Sequence, residues 1–249
     1  MPKPFDLPWR LILGSNSPRR RELLAAMGLP FTVDTDTSFV ECIPPGTPPH
    51  EVPVLMARGK SLGFHRPLEA DELLITADTV VILSSGAGEV GGQGSGTVST
   101  LGHVRGGTAS VAQRWDEAEG GSSPNPCPPP LTEAPVAGEI FGKPKDREDA
   151  LRMLRDLSGC THEVVTAVCL RSSELEHCFT DSTHVHFAAM TEDEITYYAD
   201  TCRPFDKAGA YGIQEWIGHI AIEGIDGSYN NVVGFPTQKL WQALHSIHQ

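Results

Sequence analysis

Apolar and polar positions along the chain follow two periods, and their order predicts a succession of strands and helices. A short apolar strand at 10–13 precedes a helix that begins near Pro18 and ends at Gly28. Proline in the first turn and glycine after the last turn are usual helix boundaries. The next predicted elements are a strand at 31–34, a helix at about 50–64 and the β-branched strand ELLITADTVVIL at 72–83.

The C-terminal half continues this alternation. Two runs of strand composition, 162–172 and 180–190, can pair as a hairpin. Residues 191–194, TEDE, have the Thr-x-x-Glu pattern of a capping box that starts a helix. The other predicted elements are helices at 147–157 and 236–248 and a strand at 217–223. Strands and helices alternating in this way are typical of the α/β class.

One segment, 84–138, interrupts the pattern with runs such as SSGAGEVGGQGSG and SSPNPCPPP. Gly, Ser and Pro dominate it and large apolar residues are few, so it can bury little surface. We therefore expect a single domain over 1–249 that carries a flexible insertion at 84–138.

Charge and hydropathy exclude several classes of protein. A formal net charge of −13 argues against a general binder of nucleic-acid polymers, which normally presents a basic surface, although a local basic pocket is compatible with it. No run reaches the roughly 18 apolar residues of a membrane span, and the N-terminal apolar stretch is too short for a signal peptide. Six cysteines form no Cys-x-x-Cys pair, which gives a zinc site little support. We expect a cytoplasmic protein with reduced thiols and no membrane contact.

The first candidate for chemistry is the segment GSNSPRRR at 14–21, where a strand gives way to a helix. A helix N-terminus favours anions through its free N–H groups and dipole, and arginine offers forked donors that match phosphate. The alternative is a serine-capped surface helix whose charges are solvated.

Four further side chains are candidates for binding a metal or phosphate. Asp78 lies within an apolar strand, where an unpaired carboxylate would be costly, so a metal, a cation or a catalytic role would explain it. It could instead bond a turn at the end of the strand. Glu41 could supply a second carboxylate, and Lys60 and Lys143 could hold phosphate oxygens, although single loop or helix charges are commonly just solvated.

The segment PFDKAGAYGIQ at 204–214 predicts a tightly shaped loop with a buried Tyr211. Its Gln214 carries a donor and an acceptor that could read the edge of a nucleobase, or could only stabilise the loop. The chain has no G-x-x-x-x-G-K-[ST] motif and no G-x-G-x-x-G between a strand and a helix, so P-loop and dinucleotide-binding classes are excluded.

Five segments resemble, in order, the successive motifs of the Maf family. They are GSNSPRRRELL, ADTVV, GKPKDREDALRMLRDLSGCTHEVVTAV, PFDKAGAYGIQ and GSYNNVVGFP. This resemblance covers nearly all of the chain outside the insertion. It implies an α/β fold with a mixed twisted sheet, flanking helices and two lobes around a cleft, related to inosine-triphosphate pyrophosphatases, and usually a homodimer.

The resemblance also implies an activity, which is hydrolysis of a nucleoside triphosphate to the monophosphate and pyrophosphate with Mg²⁺ or Mn²⁺. Asp78 matches the proton acceptor of the family, and with Glu41 it is expected to hold the metal. The SPRR form and the Gln of GIQ resemble the subgroup that acts on dTTP and UTP. Arg19, Thr79 and Gln214 correspond to the family positions that set substrate choice. Ser15, Glu41, Lys60 and Lys143 correspond to polar positions of the family's cleft.

Two alternatives stay open at this point. The chain could be a nucleotide-binding regulator of cell division that does not turn nucleotide over. It could also be a pyrophosphatase that clears deaminated purines, in which case ITP would be preferred to dTTP and UTP.

Overall fold

A computed structural model describes residues 7–83 and 138–247, which form a seven-stranded mixed sheet with helices packed against it. The predicted insertion at 84–138 lies outside the described residues, apart from Gly138. The strands are β1 (Arg10–Leu13), β2 (Phe31–Val33), β3 (Glu72–Leu83), β4 (Glu139–Phe141), β5 (Thr161–Arg171), β6 (Glu176–Phe187) and β7 (Ile222–Asp226).

The long strand β3 organises the sheet. The strand order is β2-β1-β3-β5-β6-β7, and β4 also pairs with β3. β1 is parallel to β2 and to the first part of β3, whereas β3–β4, β3–β5, β5–β6 and β6–β7 are antiparallel. β3 can have neighbours on both sides because its residues are apolar and β-branched, a composition suited to a buried strand.

Capping side chains stabilise the starts of several helices. The hydroxyl of Ser17 accepts a hydrogen bond from the Arg20 N–H at the start of α1, and Asp146 caps α3 in the same way. Thr191 and Glu194 form the expected capping box. The helices are α1 (Pro18–Ala26), α2 (Val52–Leu62), α3 (Arg147–Leu157), α4 (Glu192–Cys202), α5 (Trp216–Ile220), α6 (Tyr229–Val233) and α7 (Thr237–Ser246).

Two large apolar clusters pack against the sheet. One joins β3 and β5 to α3 and α4, with Phe141, Leu154 and Tyr198 fully buried. The other joins β1 to α1 and α7, with Leu24 and Phe235 fully buried. The mixed α/β class and the predicted hairpin are confirmed.

One prediction is wrong: residues 217–223 do not form a continuous strand. Residues Trp216–Ile220 form the short helix α5, and the strand β7 begins only at Ile222. The run WIGHIAI is apolar enough for a strand. In the structure, however, Ile217 lies in a helix and is fully buried, and the residues that pair with β6 begin only at Ile222. Burial in the tertiary structure therefore overrides the local propensity.

The thiols agree with expectation at four positions, since Cys160, Cys169, Cys178 and Cys202 are free. None of the helices described is long and apolar enough to cross a membrane.

Candidate active site

A cleft of about 930 Å³ is lined by the polar candidates. Its walls come from the β1–α1 loop, the middle of β3, the loop after α4 and the turn after β4. All eight side chains singled out from the sequence line it, namely Ser15, Arg19, Glu41, Lys60, Asp78, Thr79, Lys143 and Gln214. Residues far apart in sequence therefore converge on one cavity.

In the wall of this cleft, an ammonium group lies between two carboxylates. Lys60 of α2 donates to Asp78 Oδ1 at 2.6 Å, and its Nζ is 2.8 Å from Glu41 Oε1. The hydrogen bond from Lys60 lowers the pKa of Glu41 despite partial burial. Burial opposes the charge of Lys60, but the two carboxylates outweigh it and raise its pKa. Glu41 and Lys60 are therefore both charged at neutral pH.

Alternation along β3 directs neighbouring residues to opposite faces of the sheet. Asp78 contacts Lys60 of α2, whereas Thr79 contacts α1 on the other side. The Thr79 hydroxyl is 3.1 Å from Arg20 Nη2 and 3.0 Å from the Thr166 hydroxyl. The predicted site residues on β3 thus form two separate contact groups within one cleft.

Arg20 is the residue that the sequence left undistinguished among three arginines. It donates to the Ala77 carbonyl at 2.8 Å, the Gly234 carbonyl at 3.0 Å and the Ser15 hydroxyl at 3.3 Å. Burial lowers its pKa, and the charge of Asp78 opposes that effect. Arg20 therefore ties α1 to β3 and to the end of α6. The only sequence signal was its place in the first turn of a helix that follows a strand.

Arg19 points in another direction. Its Nη1 is 2.6 Å from Asp206 Oδ2 and its Nη2 donates to the Asp206 carbonyl at 3.2 Å. Lys207 lies beside this pair and bonds Asp206 Oδ1 at 2.7 Å and Glu215 Oε1 at 2.8 Å. Neither Asp206 nor Lys207 was predicted from the sequence, because charged residues in a loop are usually solvated.

The loop that carries these residues is held by its backbone conformation. Gly209 has φ 67° and Ala210 has φ 57°, both in the left-handed region. A Cβ on Gly209 would lie 2.9 Å from Val81 Cγ2, so only glycine fits there. Gly209 also donates to the Gly142 carbonyl at 3.0 Å, which joins the loop to the turn that carries Lys143.

Tyr211 is buried, as the sequence predicted, and its hydroxyl is 2.8 Å from His162 Nε2. Burial lowers the pKa of His162 to about 3, so the ring is neutral at physiological pH. Asn231 is fully buried and donates to the Val164 carbonyl and the Thr183 hydroxyl, each at 3.0 Å. Asn231 and the helix-capping Ser228 therefore bond the protein itself.

Lys143 and Gln214 line the cleft with exposed side chains. The charge of Lys143 contributes to the lowered pKa of Glu41, after the larger effect of Lys60. Within residues 7–83 and 138–247 neither side chain has a hydrogen bond to another residue, so both are available to a ligand.

The donor set is compatible with a hard divalent cation that is also bound by a ligand. No group of three His, Cys, Asp or Glu side chains in the described ranges could hold a metal by itself. Mg²⁺, however, is commonly held by one or two carboxylates together with water and substrate phosphates. Glu41 and Asp78 supply two carboxylates in the same cleft, both in contact with Lys60.

Comparison with known proteins places the chain in a family. The family model described as Maf-like protein matches residues 10–111 and 132–247, which is most of the chain. The chain belongs to this family. The match confirms the resemblance found in the motifs. It leaves residues 112–131 unmatched, and these lie inside the proposed insertion.

Curated relatives of this Maf-like protein are similar over nearly their whole length. A dTTP/UTP pyrophosphatase of Bacteroides fragilis is 37% identical over 239 residues, covering 96% of each chain. One from Porphyromonas gingivalis is 37% identical over 238 residues, 95% of this chain and 93% of the relative. One from Flavobacterium psychrophilum is 34% identical over 235 residues, 94% of this chain and 93% of the relative.

Proposed function

We propose that this Maf-like protein is an enzyme that hydrolyses nucleoside triphosphates, dTTP and UTP among them, to the monophosphate and pyrophosphate. The observation that carries the proposal is the contact of Lys60 with both Glu41 and Asp78, in a cleft that also holds Arg19 and Lys143. Cations and carboxylates gathered in this way suit a polyphosphate chain better than a neutral ligand. The names of the curated relatives support the same reaction.

Asp78 is the proposed proton acceptor. Its Oδ1 is bonded to Lys60, and its Oδ2 has no hydrogen bond to any described residue, so it can accept a proton from water. In the proposed step the water oxygen forms a bond to the α-phosphorus. The bond from this phosphorus to the bridging oxygen breaks, pyrophosphate leaves, and the water proton passes to Asp78.

The cations of the cleft bind and orient the substrate. Lys60 and Lys143 would neutralise phosphate oxygens, while Arg19 offers further N–H donors beyond the two used on Asp206. Arg19, Thr79 and Gln214 are the proposed determinants of substrate choice. Glu41 and Asp78 would hold Mg²⁺ or Mn²⁺, which when bound supplies positive charge to the polyphosphate.

The test is pyrophosphate release by purified protein with dTTP, UTP, dCTP, GTP, ATP and ITP, run in ¹⁸O-labelled water. We expect release from dTTP and UTP, with the label in the monophosphate. Label in the pyrophosphate would overturn attack at the α-phosphorus. Nucleotide binding without release would overturn the proposed activity, and a preference for ITP would reassign the substrate.

A matched pair of lysines tests whether the cleft is the reaction site. Lys143 lines the cleft, whereas Lys145, two residues away and also exposed, does not. We expect Lys143→Gln to raise KM about tenfold and Lys145→Gln to leave it unchanged. Equal KM values for the two variants would contradict this placement.

Two further parts of the proposal concern the setting of the enzyme. We propose a homodimer, which light scattering on the purified chain would test. We also propose a cytoplasmic location, which cell fractionation would test.

A further inference from the structure

A series of charged contacts leads from Arg19 to the residue beside Gln214, and these are two of the three proposed selectivity residues. Arg19 contacts Asp206 through two donors, at 2.6 and 3.2 Å. Lys207 bonds Asp206 at 2.7 Å and Glu215 at 2.8 Å. Glu215 follows Gln214 directly, so the contacts run from the first turn of α1 to the residue beside Gln214.

At the Lys207–Glu215 end, this series of contacts is held by buried groups. Lys207 is only 9% exposed, and Glu215 also accepts a hydrogen bond from the Tyr198 hydroxyl. That hydroxyl accepts a hydrogen bond from the Gly212 N–H at 3.0 Å. A Cβ on Gly212 would lie 2.9 Å from Lys207 Cε, so the backbone packs closely on the lysine. The loop that presents Gln214 is therefore fixed by buried charge.

The near end is open to the cleft. The Arg19 side chain is 21% exposed and that of Asp206 is 53% exposed. Hydrogen bonds from Lys207 and Arg19 outweigh the opposing effect of burial and lower the pKa of Asp206 to about 2, so it is ionised at neutral pH. Two of the five N–H donors of Arg19 are directed at Asp206, and the others remain for a ligand.

We propose that Asp206 is a positioning residue that fixes Arg19 relative to Gln214 and thereby sets nucleotide selectivity. It acts through Arg19 and needs no contact with substrate. This inference rests on the proposed function, since it names a further determinant of the same site. The resemblance to the family names Arg19, Thr79 and Gln214 for substrate choice and does not include Asp206.

The test is a double-mutant cycle of Asp206→Ala and Arg19→Ala, with kcat and KM measured for dTTP, UTP and GTP. We expect Asp206→Ala to raise KM for dTTP and UTP about tenfold with kcat within about threefold, and to reduce the preference over GTP. The double variant should have the same KM as Arg19→Ala alone, because each change removes the same contact between Arg19 and Asp206. Asp206→Asn, which keeps acceptors but no charge, should lie between.

The matched control is Asp200→Ala, which removes an exposed aspartate that pairs with Arg147 on α3. It should leave every constant unchanged. An Asp206→Ala variant that behaves like this control, or additive effects in the cycle, would overturn the inference. If Asp206→Ala fails to fold, the same cycle with Asp206→Asn decides.

Failure of the proposed function would be recognised separately. If the wild-type protein releases no pyrophosphate, the same double-mutant cycle is repeated with the Kd for α,β-methylene dTTP in place of kcat and KM. Coupling between the two positions in Kd would keep Asp206 as a positioning residue of a binding site. Independent effects on Kd would remove the inference as well.

Discussion

Two cations in this protein each contact several carboxylates at nearly the same distances. In the cleft, Lys60 lies 2.6 Å from Asp78 and 2.8 Å from Glu41. On α3, Arg152 lies 2.8 to 3.0 Å from three carboxylates. The carboxylates around Arg152 belong to Glu139, Asp149 and Asp156.

The surroundings of these two clusters differ. The Lys60 side chain is 21% exposed and opens on a cavity, whereas that of Arg152 is 45% exposed on a helix surface. Water screens the second cluster, so its ion pairs contribute little. Contact distance alone therefore does not identify a functional ion pair, and burial beside a cavity is what distinguishes the first.

The largest expected difference between the clusters is in catalysis. Asp78→Asn removes the proposed proton acceptor while keeping a similar shape, so we expect kcat to fall about 10³-fold with nucleotide Kd little changed. Asp156→Asn in the α3 cluster should retain full kcat. Pyrophosphate release and isothermal titration measure both quantities. A fully active Asp78→Asn variant would remove Asp78 from the mechanism.

The second difference is in stability, and it contrasts the buried Arg20 with the exposed Arg152. Arg20→Met leaves the carbonyls of Ala77 and Gly234 without their donor, and we expect the free energy of unfolding to fall by about 3 kcal/mol. Urea denaturation measures this change. A loss below about 1 kcal/mol would mean that water replaces the arginine in these bonds.

The third effect is a loss of stability at acid pH, and it concerns the ion pair of Glu72 with Arg66 outside the cleft. Glu72 is 3% exposed and accepts from Arg66 at 2.7 and 2.9 Å. The hydrogen bond from Arg66 lowers the pKa of Glu72 from 4.5 to about 2. Its stabilisation is therefore complete above pH 4.5 and is lost as the pH falls toward 2.

Glu72→Gln should accordingly be less stable than wild type by about 1 kcal/mol at neutral pH, and the difference should shrink below pH 4.5. Thermal unfolding from pH 7 to pH 3 measures it. Glu192→Gln, at an exposed pair with Arg155, should show a smaller difference. A difference for Glu72→Gln that is independent of pH would contradict the assignment.

The smallest effect is expected for Arg152→Met. Although it breaks three ion pairs, we expect a change in stability within about 0.5 kcal/mol and no change in kcat. A loss as large as that of Arg20→Met would show that the α3 cluster acts as a cooperative network.

Much of the fold was predictable because it depends on local patterns. β3 and α3 have the bounds that hydrophobic period and capping residues indicate. α5 was missed because its apolar run suits either a helix or a strand, and only packing decides between them. Asp78 was found because a carboxylate in an apolar strand is locally anomalous.

Arg20 and Asp206 could not be distinguished in this way. Successive residues on a helix point about 100° apart, so Arg19 and Arg20 differ in direction, but the sequence does not say which one faces the sheet. In the sequence, Asp206 does not differ from the other charged loop residues. Only the fold brings Arg19, 187 positions earlier, beside it.

The sequence by itself determined the kinds of elements, their order and the types of side chain that reach the cleft. The tertiary structure alone decided which cation meets which carboxylate and which of these pairs is shielded from water. The reason is that strand and helix formation depend on neighbours along the chain, whereas electrostatic interaction depends on distance and burial in space.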